Sequence, residues 1–156
     1  TAPPSAAEAS PVPAPAQSLD HPYATLARWT IQQVMTPLGV PVSDGAYTQL
    51  PTGEDQSARL AAFAGHKSQV TRALNEGMYC GWDLHPGQLL SRYSALYEFF
   101  EKHLPEVRRR YRAFVEAETK AIRAGTQFDD AATVEGLMVF LRRGIRCGAF
   151  TEKDIQ

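Results

Sequence analysis

Two acidic residues and a histidine lie in short segments between helical patterns, where their side chains could reach a substrate. Asp44 lies in "VPVSDG", residues 40–45, and Asp83 precedes His85 by two positions in "CGWDLHPGQ", residues 80–88. Neither segment has helical periodicity, and the enrichment in apolar and aromatic residues predicts two short strands. Because side chains alternate along a strand, Asp83 and His85 would share one side, where they could form an acid/base pair or part of a metal site.

Each of these residues also has a structural interpretation. Asp44 and Gly45 are a favourable turn pair, and His85 could hydrogen-bond to backbone beside Pro86. The other histidines have no partner at a useful spacing and are predicted to be surface or capping residues: His21, His66 and His103. No metal site is predicted within the chain, because an ion such as Mg²⁺ needs more oxygen ligands than one Asp and one His supply.

Helical patterns surround the two segments. A helix is predicted to begin near Ser18 or Asp20 and to end by Gly39, with one apolar face: Tyr23, Leu26, Ala27, Ile31, Val34 and Met35. A second helix is predicted over 55–76, with Gly77 as its stop. Three helices follow, the middle one beginning at Pro105 and ending at Gly125, and the last capped by Asp129 or Asp130 and ending near Cys147.

The order of these elements favours an α/β fold. Alternation of helix and strand implies parallel strands with crossover helices. Two short strands alone would leave open edges, so the pattern predicts the end of a larger α/β fold followed by a helical tail. The predicted organisation is a Pro/Ala-rich disordered segment at 1–17, helix–strand units at 18–90 and a helical region at 91–156.

Composition excludes several classes of function. Sixteen basic and 17 acidic residues give a net charge of -1, which argues against a nucleic-acid partner. No apolar run approaches the roughly 18 residues of a membrane span. Cys80 and Cys147 form no metal-binding spacing and indicate a reduced, cytoplasmic compartment, although a disulfide between them stays open. The Pro/Ala-rich start suggests either a linker that something preceded or a simple flexible terminus.

Two further patterns could bind a ligand or a partner. The basic run from Arg108 to Arg112 could grip a phosphate or a coenzyme A tail, but interspersed acidic residues favour a solvated helix face. Tyr93, Tyr97 and Phe100 form a stripe that is typical of a core or a subunit interface.

Beyond these patterns, the chain resembles the last two strand units of the HpcH/HpaI aldolase and citrate lyase β-subunit family. That family has a strand ending in "P-x-x-D-G-P" and a later strand ending in "G-x-D-G-K-x-x-I-H-P-x-Q". Asp44 and Gly45 match the first motif, and Gly81, His85, Pro86 and Gln88 match the second. The resemblance covers roughly residues 18–150 and is most specific in "WDLHPGQLLSRY". It departs where Trp82-Asp83-Leu84 replaces the family's lysine region and Ala46 replaces a proline.

The resemblance implies the closing βα units of a (β/α)8 TIM-type barrel, followed by a C-terminal helical tail and expected to be an incomplete barrel in this chain. Active sites of such barrels lie at the C-terminal ends of the strands. It therefore implies a set of active-site rim residues: Asp44, Gly45, Asp83, His85 and Gln88. The family's metal carboxylates and substrate arginine have no match here and are expected upstream.

The function implied is that of the C-terminal portion of a metal-dependent carbon–carbon lyase or aldolase. Its substrates would be 2-oxo acids or acyl-CoA thioesters, and Mg²⁺ or Mn²⁺, held outside this chain, would stabilise an enolate. A homo-oligomer formed through the C-terminal helices is expected, and the chain alone is expected to be inactive. The alternative is a non-catalytic helical module that binds a partner.

Overall fold

Four α-helices joined by irregular segments make up most of the described chain. The computed structural model describes residues 18–124 and 131–155, and side chains over 18–120 and 132–155. The helices are α1 (Pro22–Met35), α2 (Gln56–Asn75), α3 (Gln88–Ala124) and α4 (Ala131–Cys147). Single turns of 3-10 helix lie at Thr36–Leu38 and Glu152–Asp154. α2 packs on α3, and α3 packs on α4.

The predicted stops of the first two helices are confirmed by backbone conformation. Gly39 follows the turn after α1 with φ +68°, and Gly77 follows α2 with φ +82°, a left-handed conformation that glycine adopts without a side-chain clash. The start of α1 differs from the prediction. His21 caps the helix, since its Nδ1 accepts a hydrogen bond from the Tyr23 N–H at 3.2 Å.

The predicted break at Pro105 is wrong, because α3 runs unbroken through it for 37 residues, about 55 Å. A proline inside a helix leaves the carbonyl four residues earlier without its N–H partner. Here Pro105 and Glu101 are both exposed, so water can satisfy that carbonyl. The predicted stop at Gly125 and the predicted caps Asp129 and Asp130 lie outside the described residues, as does the Pro/Ala-rich segment at 1–17.

The prediction of an α/β fold with closing units of a TIM-type barrel is wrong. Across the described residues, the two segments expected to be strands meet at one isolated parallel bridge, Ser43 to Cys80, and form no ladder. Pro41 has no N–H to donate to a ladder. The side chains of Asp44 and Asp83 form ion pairs with arginines on helices. The segments are extended connections in a helical domain.

The core lies between α2, α3, α4 and the residues after α4. Val70 and Leu74 of α2 pack on Ala95 of α3, and a second cluster joins α3 to α4 and the C-terminal residues: Phe100, Phe140, Leu141 and Phe150. The Phe100 and Phe140 ring centroids are 4.9 Å apart, a favourable tilted contact. The interpretation of Phe100 as core is thus confirmed, whereas Tyr93 and Tyr97 of the same stripe are exposed.

α1 is oriented opposite to an ordinary surface helix. The expected arrangement turns the apolar stripe to the core and the charged residues to water. Instead Arg28 is 6 % exposed, whereas Leu26, Trp29 and Val34 are 62, 53 and 56 % exposed. The apolar face predicted for α1 therefore points outward. Among the helices in the described part, none combines the length and apolar character needed to cross a membrane.

Candidate functional site

A buried polar cluster joins α2, the segment before α3 and α3 itself. His66 of α2 is 1 % exposed, and its Nε2 lies 3.1 Å from Asp83 Oδ1. On the other side of the ring, His66 Nδ1 lies 2.7 Å from the hydroxyl oxygen of Ser91, which is fully buried. The second Asp83 oxygen accepts a hydrogen bond from Arg92 Nε at 2.6 Å. Asp83 is thereby held between a histidine and an arginine.

The charge state of His66 follows from its surroundings. Burial lowers the pKa of His66 below its ordinary value of 6.5, and the Asp83 carboxylate offsets part of that effect. The ring is then neutral near pH 7 and carries one proton. The Ser91 hydroxyl donates its proton to the Gln88 carbonyl, and its oxygen faces His66 Nδ1, so the tautomer of the ring decides whether Nδ1 or Nε2 is the donor. Asp83 Oδ1 meets no well-aligned donor among the described residues, so its contact with Nε2 is chiefly electrostatic.

Serine, histidine and aspartate in this sequence of contacts resemble the arrangement of a nucleophilic catalytic triad. A nucleophile must reach a substrate, however, and Ser91 has no exposed surface. The hydroxyl also lies 2.9 Å from the Gln88 carbonyl oxygen within its own helix. The cluster therefore positions α2 against α3 and is not a hydrolase site.

A second cluster connects α1 to α2 through charges. Asp44 is 8 % exposed and accepts a hydrogen bond from Arg72 at 2.9 Å, while Arg28 Nη1 lies 3.6 Å from its other oxygen. Arg28 also donates to Glu76 Oε2 at 3.2 Å, and Arg72 pairs with Asp20 as well. Two arginines and three carboxylates thus form one network, in which each buried charge has a partner.

Gln88 and His85 organise the turn into α3. The Gln88 side chain is 1 % exposed; its oxygen accepts from the Leu84 and His85 N–H groups at 2.7 and 3.3 Å. Its amide nitrogen donates to the Tyr47 carbonyl at 2.9 Å. His85 Nδ1 accepts from the Gly87 N–H at 3.0 Å. These contacts satisfy backbone groups at the start of α3, and His85 remains half-buried.

The structure brings some of the predicted rim residues together. Asp44 and Gly45 face Gly81 and Arg92 across a crevice of about 10 Å³, which is space for about one water molecule. Asp83 pairs with Arg92, and Gln88 with His85. The strand geometry that would point Asp83 and His85 the same way is absent, since the two side chains bond to different partners. A role of these residues in lining a substrate site stays a prediction.

The His, Cys, Asp and Glu side chains of the described residues do not cluster into a metal site. No group of three or more of them is placed to hold a metal ion. The described residues by themselves therefore do not fit the divalent ion that the resemblance implies. Cys80 and Cys147 are both free thiols.

Comparison with known proteins places the chain in a family. A family model described as "Domain of unknown function (DUF6986)" matches residues 6–156. The chain belongs to the DUF6986 family. No curated protein and no solved structure matches it. The DUF6986 match does not connect the chain to the aldolase and citrate lyase β-subunit family, so that resemblance supports a proposal only.

Sequence reasoning missed the central residue of the polar cluster in this DUF6986 chain. His66 was predicted to be a surface or capping residue, and that prediction is wrong because it is buried. The burial of His66 could have been predicted from its position on the helical repeat of α2. It lies four residues after Ala62 and four before Val70, both of which are buried on the face of α2 that contacts α3.

Proposed function

We propose that this DUF6986 chain is the helical docking part of a metal-dependent carbon–carbon lyase that acts on 2-oxo acids or acyl-CoA thioesters. The observation that carries the docking role is the outward apolar face of α1. The lyase activity rests on the resemblance of Asp44-Gly45 and of His85, Pro86 and Gln88 to the family's motifs. The divalent ion would be held by residues outside those described.

The outward face of α1 consists of Tyr23, Leu26, Trp29 and Val34, each more than half exposed. Contiguous apolar surface of this kind is typical of an interaction site. The inner face of α1 is held by polar contacts instead: Arg28 bonds to Glu76, and Gln32 donates to the Glu76 carbonyl at 2.8 Å. Burying the outer face against a second body would add hydrophobic contact to the polar contacts that hold α1 on its inner face.

The occupant we assign to this face is the metal-binding part of the lyase. The candidate site residues Asp44, Asp83 and Gln88 support a role in positioning structure rather than a direct role in catalysis. Asp44 and Asp83 are each neutralised by arginine, and Gln88 is buried in backbone hydrogen bonds. Carboxylate oxygens engaged in this way are occupied by guanidinium donors and are not free to reach a substrate. His85 is half-buried and is the residue of this set best placed to approach a substrate.

The alternative function is a non-catalytic regulatory module that uses the same α1 face. The two proposals differ in the activity of the assembly that contains the chain. We would isolate the natural protein from its own source in native form and measure its intact mass after denaturation. The same material would be assayed for Mg²⁺- or Mn²⁺-dependent release of pyruvate from 2-oxo acid substrates and for cleavage of acyl-CoA thioesters.

The expected result is metal-dependent cleavage by the natural assembly and none by the isolated 156-residue chain. Leu26→Ser on the outward face should weaken the assembly without unfolding the chain. Val115→Ser, an exposed apolar residue on α3, is the matched control and should leave the assembly intact. An inactive natural assembly would refute the lyase role and favour the regulatory module, and cleavage by the isolated chain would refute the docking role.

A further inference from the structure

A cleft between α3 and α4 lies apart from the polar clusters described above. Its volume is about 490 Å³, within the range of about 300–1,000 Å³ that is typical of small-molecule pockets. α4 contributes Arg142, Arg143 and Arg146 to its wall, and aromatic residues that include Tyr79 and Tyr93 form its floor. None of the described residues that line the cleft is acidic.

The three guanidinium groups form a local excess of positive charge. Arg142 and Arg146 are four residues apart, so they lie on the same face of α4 and repel each other. In the described ranges, no ion pair joins Arg142, Arg143 or Arg146 to a carboxylate. Within the described part of the chain, Arg143 is half-buried without such a partner, whereas the buried Arg28 and the half-buried Arg72 and Arg92 each have one. An anion bound in the cleft would remove the repulsion on α4.

The floor of the cleft is preorganised and apolar. The Arg143 guanidinium lies 4.8 Å above the centre of the Tyr79 ring, a cation–π contact that fixes it in place. The Tyr79 ring also stacks on the buried Phe100 ring, with centroids 6.2 Å apart and an interplanar angle of 18°. Burial raises the pKa of the Tyr79 hydroxyl, which therefore stays protonated and can donate a hydrogen bond. The cleft combines charged donors at its rim with aromatic surface below.

We propose that the α3–α4 cleft binds a phosphate-bearing organic anion of the nucleoside diphosphate class. Guanidinium groups match the geometry of phosphate oxygens in paired hydrogen bonds, and three of them suit two linked phosphates. The aromatic and aliphatic floor suits the flat face of a nucleobase. The proposal rests on α3, α4 and Tyr79 of the segment before α3, and it stands independently of the lyase proposal.

The test is calorimetric titration of the full chain in low-salt buffer with three probes: ADP, inorganic pyrophosphate and adenosine. ADP should bind more tightly than pyrophosphate, and adenosine should not bind measurably. The double variant Arg142→Gln/Arg146→Gln should lower ADP affinity by about tenfold or more, since it removes two charge-assisted contacts. Both side chains are exposed, so the variant should keep the far-UV circular dichroism of the parent.

The matched control removes the same charge elsewhere. Arg110 and Arg112 are exposed on α3 and do not line the cleft, so Arg110→Gln/Arg112→Gln should change ADP affinity by no more than about twofold. Equal losses in the two double variants would overturn the site and leave only a general charge effect. Absence of binding by ADP and pyrophosphate at millimolar concentration would overturn it outright. ADP binding no tighter than pyrophosphate would overturn the assignment of the nucleoside to the floor.

Discussion

Alanine substitution of two glycines in α4 should change stability in opposite directions. Gly136 and Gly144 both lie inside α4, where glycine costs about 1 kcal/mol relative to alanine. A Cβ at Gly136 would meet nothing within 4 Å. Gly136→Ala should therefore stabilise the chain by about 1 kcal/mol, by restricting the unfolded backbone and favouring the helix.

The same change at Gly144 meets the core. A Cβ built there overlaps the ring of Phe150, which is 7 % exposed and packed against Phe100 and Phe140. The ring cannot swing into solvent as the end of a flexible side chain could. Overpacking typically costs about 1–3 kcal/mol of stability. Because this overlap is severe, we expect a cost near the upper end of that range. After the gain of about 1 kcal/mol in helix propensity, Gly144→Ala should be destabilising by about 1–2 kcal/mol.

Guanidinium chloride unfolding followed by far-UV circular dichroism measures both effects. The unfolding midpoint should rise for Gly136→Ala and fall for Gly144→Ala, with the denaturant slope unchanged if both variants unfold in two states. Midpoints that moved in the same direction would refute the reasoning. They would mean that Phe150 does not confine Gly144, and hence that the last turn of α4, which carries Arg146, is held differently.

Three further predictions concern the polar clusters and the isolated chain. Asp44→Asn should destabilise the fold by about 2 kcal/mol. This is below the usual cost of breaking a buried ion pair, because Arg72 still pairs with the carboxylate of Asp20. Glu106→Gln, which breaks an exposed ion pair, is the control and should have no measurable effect on stability. A similar loss of stability in both variants would contradict the stabilising role of the buried Asp44 ion pair. His66 has a lowered folded pKa, so as pH falls below 6.5 the unfolded state takes up the proton first and stability decreases. His66→Gln should remove that part of the acid sensitivity in unfolding titrations at several pH values, and an unchanged pH slope would contradict it. The isolated chain should release no pyruvate from 2-oxo acids with Mg²⁺, and a colorimetric pyruvate assay decides this.

Local sequence signals predicted most helix positions well. The existence of α1, α2 and α4 and the glycine stops after α1 and α2 followed from periodicity and from residue types that suit helix ends. Pro105 was the exception, because the effect of a proline depends on whether the carbonyl it leaves unpaired can reach water. That depends on which face of the helix is exposed, which local sequence does not specify.

The strand predictions failed for a different reason. Residues 40–45 and 78–86 have strand-like composition, but a strand exists only when another strand pairs with it along several residues. In this chain the segments meet at a single bridge, and Asp44 and Asp83 pair with arginines on helices. The candidate site residues could thus be picked out from their residue types. Their partners could not be predicted in the same way: Arg28, His66, Arg72 and Arg92.

Helix positions follow from local sequence, because capping residues, glycine stops and the spacing of apolar residues all exert their effects within a few positions along the chain. Local sequence also identifies the residues that could act as acids, bases or ligands, since that capacity is a property of each side chain. Three features come from long-range packing: α1 turns its apolar face outward, His66 is buried beside Asp83, and three arginines of α4 share a cleft with Tyr79. These outcomes depend on contacts between residues far apart in the chain, whose energies are set by burial and by opposite charges meeting in space rather than by neighbours in sequence.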